Sequence, residues 1–231
     1  RCDFISLDIL FLCFPNDLVL YFKKIYSKFN ISINQIICSS YVKSILYKNN
    51  LNLNGHVSFV DIGFNRTSVI SYLNDKILYL EVLPVGGNHI TKDISKIFKI
   101  DLDQSEQVKR DFYKNQKPSD DVKLSNEELK QIIFARTEEI IKLCNKSIEL
   151  NPYLPDKFKM VLMGDGAKIF KNQTKDKNFL TNDIDLLEET LVEVCQSGFS
   201  FLRKPNKQEV VVVPKKPIKQ GFFEKFFHFF R

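Results

Sequence analysis

Apolar and polar positions between residues 57 and 85 follow a repeat of about two residues, which is typical of β-strands. The segments VSFVDI (57–62), TSVISYL (67–73) and ILYLEVLPV (77–85) are rich in β-branched and aromatic residues. The short sequences GFNR and NDK lie between them. Because such turns join neighbouring antiparallel strands, the pattern predicts a three-stranded meander.

The part of the chain before this meander predicts mainly helix. The opening run CDFISLDILFLCFP (2–15) has β-rich apolar content, whereas NDLVLYFKKIYSKF (16–29) carries apolar residues at helical spacing. The segment INQIICSSYVKSILYKNN (33–50) predicts a strand that leads into a helix.

The part after the meander alternates helices with one further strand. Helices are predicted from Asn88 to Phe98, over LDQSEQVKRDFY (102–113), and from Ser125 to about Leu150. Ser125 and Glu128 form an S-x-x-E capping box that opens the last of these. The final elements are a strand, a glycine turn and a helix start in FKMVLMGDGAKIF (158–170), then a helix from about Asp185 to Cys195. The mixture predicts an α/β protein.

The composition changes after residue 202. The segment RKPNKQEVVVVPKKPIKQ (203–220) has no amphipathic period and predicts a linker. Residues 203–231 contain eight Lys and Arg residues against two acids, so this tail carries the whole net charge of +6. A neutral body with a basic tail points to an anionic surface met by the tail, and we expect no nucleic-acid partner.

The last eleven residues, GFFEKFFHFFR (221–231), predict an amphipathic helix. At 100° per residue its phenylalanines occupy an arc of about 160°. We expect this helix to lie in the plane of a membrane surface, since it is too short to span a bilayer. The alternative is a terminal helix that docks on the core of the protein itself. The predicted membrane-binding residues are Phe222, Phe223, Phe226, Phe227, Phe229 and Phe230.

Length and composition limit the class of protein. The chain has 231 residues, of which 44% are apolar, and this is enough for one large or two small cores. No apolar run approaches the ~20 residues of a membrane-spanning helix. The three histidines lack metal-ligand spacing. The chain begins at Arg1 without an initiator methionine, so we expect Arg1 not to be the natural start.

The cysteines indicate a reducing compartment. They are odd in number, widely spaced and mostly set in apolar strings, which is typical of reduced, buried thiols and of a cytoplasmic protein. They are Cys2, Cys13, Cys38, Cys144 and Cys195.

Three glycine-containing turns are candidates for a phosphate site. They are VDIG (60–63), PVGGNHI (84–90) and VLMGDGAKIF (161–170). Glycine lets a backbone approach a phosphate closely, and a carboxylate such as Asp61 can hold a metal-bound water. An Asp-Gly pair in a hairpin is more often an ordinary tight turn, and the other two motifs can equally be ordinary turns, so the separate turns decide nothing.

The order of these turns resembles a known family. The chain has, in order, D-I-G, hairpin strands, LPVGGNHITKDI, a helix with SEQVK, a long helix and VLMGDGA. This order resembles the second half of the actin, Hsp70 and sugar-kinase superfamily, and within it the FtsA family of bacterial cell-division proteins. SSYVKSIL before VSFVDIG resembles the interdomain helix of that family. The resemblance implies an actin-like ATPase (ribonuclease H-like) fold, present as a fragment without the N-terminal subdomain and most of the small inserted domain.

The resemblance also implies a division of the chain. The expected parts are the end of the small inserted (SHS2-like) domain at 1–32, an interdomain helix region at 33–56, an actin-like C-terminal domain at 57–202 with its upper subdomain at 94–155, a basic linker at 203–220 and a membrane-targeting amphipathic helix at 221–231.

The family's nucleotide site maps onto the three turns and one helix. ATP with Mg²⁺ is implied for the full-length protein, and weak or absent binding for this fragment, because one of two phosphate loops is missing. No catalytic residue is implied. The residues implied to contact the nucleotide are Asp61, Gly63, Thr67, Gly87, Asn88, Glu106, Lys109, Gly164 and Gly166.

The first turn departs from the family pattern. Where the family favours D-I-G-G-G-T-T-D, this chain has DIGFNRTS, so Phe64, Asn65 and Arg66 replace G-G-T. We expect strain at Phe64, whereas Asn65 tolerates left-handed geometry and Arg66 can reach a phosphate. Met163 and Asp165 stand where Thr and Gly are usual. These changes favour an adaptor over an efficient ATPase.

The long helix contains an arginine at an unusual place. At 100° per residue Arg136 projects into the middle of an apolar face. One interpretation is an arginine at the rim of the core, paired with Glu139 one turn later. In the FtsA family an Arg and a Glu at this spacing contact the C-terminal tail of the tubulin homologue FtsZ, which makes Arg136 and Glu139 the implied partner-binding residues. The apolar residues assigned to that face are Leu129, Ile132, Ile133, Ile140 and Leu143.

Together the resemblance implies a cytoplasmic adaptor that binds ATP, polymerises and tethers FtsZ filaments to the inner membrane, as a peripheral protein of its cytoplasmic face. Two alternatives remain open. One is an active ATPase or kinase of the same superfamily, and the other is a pilus-assembly actin homologue, which is expected to lack the terminal amphipathic helix.

Overall fold

A computed structural model describes residues 11–114, 116, 125–152, 154, 157–172 and 184–203. The chain divides into two compact units, one of residues 37–203 and one that combines 1–36 with 204–231. In the latter, the described residues contain one helix, α1 (Asn16–Ser27), at the predicted place. The predicted linker beyond Arg203 and the phenylalanine-rich tail lie outside the described residues, as do residues 1–10 of the opening run.

The larger unit contains a five-stranded sheet and five α-helices in its described residues. The strands are β1 (His56–Ile62), β2 (Thr67–Leu73), β3 (Lys76–Leu83), β4 (Lys159–Met163) and β5 (Ile184–Leu186). The helices are α2 (Ser39–Asn50), α3 (Gly87–Phe98), α4 (Leu102–Lys114), α5 (Asn126–Glu149) and α6 (Leu191–Arg203), with a 3-10 helix at Asp165–Asn172.

The sheet has the strand order β3-β2-β1-β4-β5. The predicted meander is confirmed, because β1 pairs antiparallel with β2, and β2 with β3. β4 joins the other edge of β1 in parallel, and β5 pairs in parallel with β4. Parallel pairing requires a crossover, and here the long segment with α3, α4 and α5 provides it. The carboxyl ends of β1 and β4 therefore lie at the same edge of the sheet.

Side chains alternate between two apolar clusters, one on each face of the sheet. Val60 and Ile62 of β1 belong to a cluster that includes residues of α3, α4 and α5. Val57 and Phe59 belong to the opposite cluster, against which Ile45 and Tyr47 of α2 pack. By the same alternation Asp61 points to the α2 side of the sheet.

Two predicted elements differ from the structure. Residues 33–38 form no strand. The helix start predicted after β4 is present, as the 3-10 helix Asp165–Asn172. The predicted helix 185–195 is instead strand β5 followed by α6, because residues 184–186 pair with β4 at the sheet edge.

Helix α5 begins as predicted, since the Ser125 hydroxyl accepts a hydrogen bond from the Glu128 amide at 3.4 Å. Its buried face is wider than the large apolar residues indicated, because Thr137, Cys144 and Ser147 are buried too. At 100° per residue, this face is centred about 60° further round the helix than predicted. Leu143 is consequently 38% exposed, and Arg136 lies at the edge of the buried face rather than in its middle.

Candidate functional site

The three glycine-containing turns meet at the carboxyl ends of β1 and β4. The Gly63 amide donates to the Arg66 carbonyl at 2.9 Å, which closes the turn after β1. The Gly87 amide then donates to the Gly63 carbonyl at 3.0 Å, and the Asn88 amide to the Phe64 carbonyl at 2.7 Å. The turn after β1 is thus fixed to the start of α3.

Backbone contact explains why several of these positions are glycine. A Cβ on Gly86 would lie 2.6 Å from the Gly63 carbonyl oxygen, and one on Gly166 would lie 2.7 Å from that of Ile62. Gly164 has φ +91°, and a Cβ there would lie 2.6 Å from the Ile62 carbonyl oxygen. Side chains are excluded at these three positions by the fold itself.

Gly87 differs from the other glycines because a side chain would fit there. A Cβ on Gly87 would have ordinary contacts only, 3.6 Å from Lys109 Nζ, 3.7 Å from the Gly63 carbonyl oxygen and 3.8 Å from Gly166 Cα. The protein therefore leaves a small space where the three turns and a lysine meet. The space has room for about one methyl group, and the Gly63 carbonyl oxygen, the Gly166 backbone and the Lys109 ammonium bound it.

The turn after β1 adopts its shape without the strain expected at Phe64. Among the described residues other than glycine, positive φ angles occur only at four positions outside this turn, namely Asn30, Asn52, Asn74 and Lys99. Phe64 is 58% exposed at the tip of the turn. The Asn65 side-chain oxygen accepts from Asn88 Nδ2 at 2.8 Å, so the replaced residues add a side-chain contact between two of the turns.

Lys109 and Glu106 of α4 lie beside Gly87. Lys109 Nζ donates to the Gly87 carbonyl at 3.1 Å, to Thr91 Oγ1 at 2.8 Å and to Glu106 Oε2 at 2.5 Å. Arg110 donates to the other Glu106 oxygen at 3.1 Å. The lysine thus holds α4 against the first turn of α3.

Burial and pairing act on both groups. Burial lowers the pKa of Lys109 below its usual value despite the pairing with Glu106, because the ammonium is the more deeply buried of the two groups. Burial on its own would raise the pKa of Glu106, but hydrogen bonds from Lys109 and Thr91 outweigh it and the pKa falls. The pair therefore places a carboxyl and an amino group, joined by a hydrogen bond, next to the space at Gly87.

Thr67 does not face that space in this structure. It is fully buried, and its hydroxyl donates to the Val85 carbonyl at 2.7 Å. The bond links the start of β2 to the segment before α3. The predicted contact of Thr67 with a nucleotide therefore has no direct support from its position.

Asp61 forms a buried ion pair that the sequence did not reveal. Lys43 Nζ of α2 lies 2.9 Å from Asp61 Oδ2 and 2.7 Å from Glu189 Oε1. Burial disfavours the charged lysine, but attraction from Asp61 and hydrogen bonds with both carboxylates raise the pKa of Lys43. The carboxylate that a magnesium-bound water would use already has a cation, so Asp61 in this conformation does not fit such a role.

Arg136 has an additional partner from a different helix. Its guanidinium forms two hydrogen bonds with Asp93 of α3, Nε–Oδ2 at 2.6 Å and Nη2–Oδ1 at 3.0 Å. Nη1 donates to Glu139 Oε2 at 2.5 Å, as the rim interpretation predicted. The Arg136 side chain remains 25% exposed, so a further ligand can reach it. Asp93 lies 43 residues away in sequence, and no local pattern indicates the pair.

The four described cysteines are all free thiols. Cys144 is buried, Cys38 is partly buried, and Cys13 and Cys195 are exposed. The expectation of mostly buried thiols is therefore wrong, since α6 turns Cys195 outward.

In the described part of the chain no three His, Cys, Asp or Glu side chains form a metal-binding group. No described helix is long and apolar enough to cross a bilayer.

Comparison with known proteins agrees with this architecture. A family model described as "Cell division protein FtsA" matches residues 58–205. The cell division protein FtsA of Buchnera aphidicola subsp. Acyrthosiphon pisum (strain APS) is 26% identical over 240 residues, which cover 88% of this chain and 56% of that protein. The chain therefore spans about half the length of this relative.

Two solved structures support the actin-like fold. MreB5 of Spiroplasma citri bound to ADP has a TM-score of 0.60 at 18% identity, covering 79% of this chain and 64% of that one. The PilM-PilN type IV pilus biogenesis complex has a TM-score of 0.53 at 20% identity, covering 68% and 44%. At these identities the likeness concerns the fold alone, which is the α/β actin-like ATPase fold predicted from the sequence.

Proposed function

The chain belongs to the FtsA family of cell-division proteins, and on this basis we propose that the complete protein is a cytoplasmic actin-like adaptor that binds ATP, polymerises and tethers FtsZ filaments to the inner membrane. The predicted division of the chain at 32/33, 56/57, 202/203 and 220/221 is part of this proposal. The observation that carries the nucleotide part is the space at Gly87, where three glycine turns and Lys109 converge.

The proposed nucleotide site uses the chain's own residues for binding rather than for chemistry. Gly63, Gly87 and Gly166 bring the backbone close to a phosphate, and Lys109 supplies a cation beside it. Asn88 follows Gly87 in the chain, Glu106 positions Lys109, and Gly164 belongs to the same turn as Gly166. ATP would enter with its Mg²⁺ bound to the phosphates, and the residues of this chain would position the phosphates.

An adaptor is favoured over an enzyme by the state of Asp61. A general base must be free to accept a proton from an attacking water. Asp61 is held by Lys43, and the Glu106 carboxylate near Gly87 is held by Lys109 and Arg110. Phosphate release by the full-length protein provides the test. Turnover well above background that disappears in Asp61→Ala would support the enzyme instead.

The pilus-assembly alternative is less well supported than the FtsA assignment. Its likeness to this chain lies in the fold, whereas the FtsA family model matches residues 58–205. The phenylalanine-rich tail is the sequence feature that a pilus-assembly homologue is expected to lack.

The proposed partner site is Arg136 with Glu139. The acidic tail of FtsZ would compete with Asp93 and Glu139 for the exposed part of the guanidinium. Charge reversal at a contact of this kind replaces attraction by repulsion. We therefore expect Arg136→Glu to abolish binding of a synthetic FtsZ tail peptide to the full-length protein, as measured by fluorescence anisotropy.

The control for this experiment is Lys142→Glu on the same helix. Lys142 pairs with Glu138 on the exposed side of α5, so the charge change is equal but lies away from Arg136. We expect this variant to bind the peptide normally. If Arg136→Glu binds normally in its folded fraction while its melting temperature falls sharply, the arginine is a structural residue of the α3–α5 contact only.

Membrane attachment is proposed through the tail. Residues 222–230 supply six phenylalanines, and the preceding linker supplies cations that attract anionic head groups. The proposal therefore includes a peripheral position on the cytoplasmic face of the inner membrane. The tail lies outside the described residues, so its sequence and the family membership are the support for this part.

A further inference from the structure

A buried group of three charged side chains lies behind the glycine turns. The side chains of Lys43, Asp61 and Glu189 are 5%, 10% and 6% exposed. Tyr47 adds a hydrogen bond to the second Glu189 oxygen at 2.9 Å. Charges at this depth persist only when they are paired and hydrogen-bonded. This group is therefore a built part of the protein rather than a chance surface contact.

Three separate elements position the group. Lys43 comes from α2, and Asp61 from the carboxyl end of β1 on the face that α2 covers. Glu189 comes from the segment between β5 and α6, which is fixed to the sheet by a hydrogen bond from the Leu187 amide to the Leu162 carbonyl at 2.8 Å. Because each element is anchored by the sheet or the core, Lys43 is held between the two carboxylates.

The Asp61 carboxylate already has a cation and is largely shielded from solvent. Oδ2 binds the Lys43 ammonium at 2.9 Å, and the Asp61 side chain is only 10% exposed. A divalent cation placed at this carboxylate would also be repelled by the ammonium at short range.

We propose that Lys43 is an internal counter-ion that takes the place of a divalent cation at Asp61, so that ATP binding by this protein does not depend on magnesium at that carboxylate. The inference rests on the proposed nucleotide site. An unpaired carboxylate beside the phosphates would repel ATP unless a divalent cation bridged the two. Lys43 removes that repulsion permanently, and Mg²⁺ then needs only the phosphates.

The test compares the full-length wild type with the double variant Lys43→Met/Glu189→Gln. The double variant removes one positive and one negative charge, so the net charge of the group is unchanged while Asp61 loses its counter-ion. Glu189→Gln alone is the matched control, because it retains the Lys43–Asp61 pair. ATP affinity is measured by isothermal titration in MgCl₂ and in EDTA at equal ionic strength.

We expect the wild type and Glu189→Gln to lose the same factor in ATP affinity between MgCl₂ and EDTA. The double variant should lose about tenfold more than they do, because one close electrostatic contact is worth about this factor. An equal loss in all three proteins would overturn the inference.

A second measurement needs no nucleotide. The melting temperature of each unliganded protein is compared in MgCl₂ and in NaCl of equal ionic strength. Magnesium should raise the melting temperature of the double variant alone, since a ligand of the native state stabilises that state. Magnesium stabilisation of the wild type beyond that of NaCl would overturn the inference even if the double variant failed to fold. Absence of ATP binding in every protein, with the melting pattern as expected, would reject only the proposed nucleotide site.

Discussion

Gly86 and Gly87 are adjacent, yet the structure predicts opposite consequences for their replacement by alanine. A methyl group on Gly86 would lie 2.6 Å from the Gly63 carbonyl oxygen, 2.8 Å from that of Phe64 and 2.9 Å from the Arg66 amide nitrogen. All three atoms belong to the backbone of one closed turn, which cannot move aside as a flexible side chain would. The turn and the start of α3 must therefore separate.

The expected magnitudes follow from this difference. Gly86→Ala should lower the free energy of unfolding by about 1–3 kcal/mol, the usual range for overpacking a close contact. Gly87→Ala meets nothing closer than 3.6 Å and lies in the first turn of α3. It should leave stability unchanged or raise it by up to about 1 kcal/mol, because alanine loses less backbone entropy on folding than glycine.

ATP affinity, unlike stability, should fall in the Gly87→Ala variant. Its new methyl group would occupy the space beside Lys109 Nζ that the proposed phosphate site requires. We expect Gly87→Ala to weaken ATP binding by the full-length protein at least about tenfold, or ~1.4 kcal/mol. Urea unfolding supplies the stability of both variants, and isothermal titration supplies the affinity.

Two results would refute this reasoning. If Gly87→Ala destabilised the protein as much as Gly86→Ala, the space at Gly87 would not exist in solution. If Gly87→Ala folded normally and bound ATP as tightly as the wild type, the space would exist but would not hold a phosphate.

Three further predictions concern the tail, acid stability and thiol reactivity. Phe226→Glu/Phe230→Glu should release the full-length protein from anionic vesicles in co-sedimentation at unchanged melting temperature, and equal retention of both proteins would contradict a membrane role. The pKa of Glu106 is lower in the folded protein than in the unfolded chain, so its ionised carboxylate stabilises the fold. This contribution is fully present above the unfolded-state pKa of about 4.3 and is lost as pH falls through the folded-state pKa. Glu106→Gln should therefore unfold at lower urea than the wild type at pH 7, with the difference shrinking below about pH 4; a difference independent of pH would contradict this. Burial raises the pKa of Cys144 to about 12, so iodoacetamide at neutral pH should alkylate the exposed Cys195 and spare Cys144 until the protein unfolds, as peptide mass spectrometry would show.

Local patterns in the sequence determined most of the secondary structure. The meander of β1 to β3 and the helices α3 to α5 were predicted within a few residues, because period and turn chemistry act between near neighbours. The three glycine turns were found for the same reason. Their convergence was indicated only by the family resemblance.

Tertiary structure decided the features that depend on distant partners. β5 is a strand because it pairs with β4, although its own three residues carry no clear signal. The buried face of α5 includes Thr137, Cys144 and Ser147, whose burial depends on what packs against them rather than on their hydrophobicity.

The ion pairs were also decided at this level. Glu189 reaches Lys43 across 146 residues of sequence, and Asp93 reaches Arg136 across 43. Each charge is typical of a solvated helix or loop when the sequence is considered alone. Only the folded chain brings opposite charges close enough to offset the loss of water around them, and for this reason the counter-ion of Asp61 could not be predicted from the sequence.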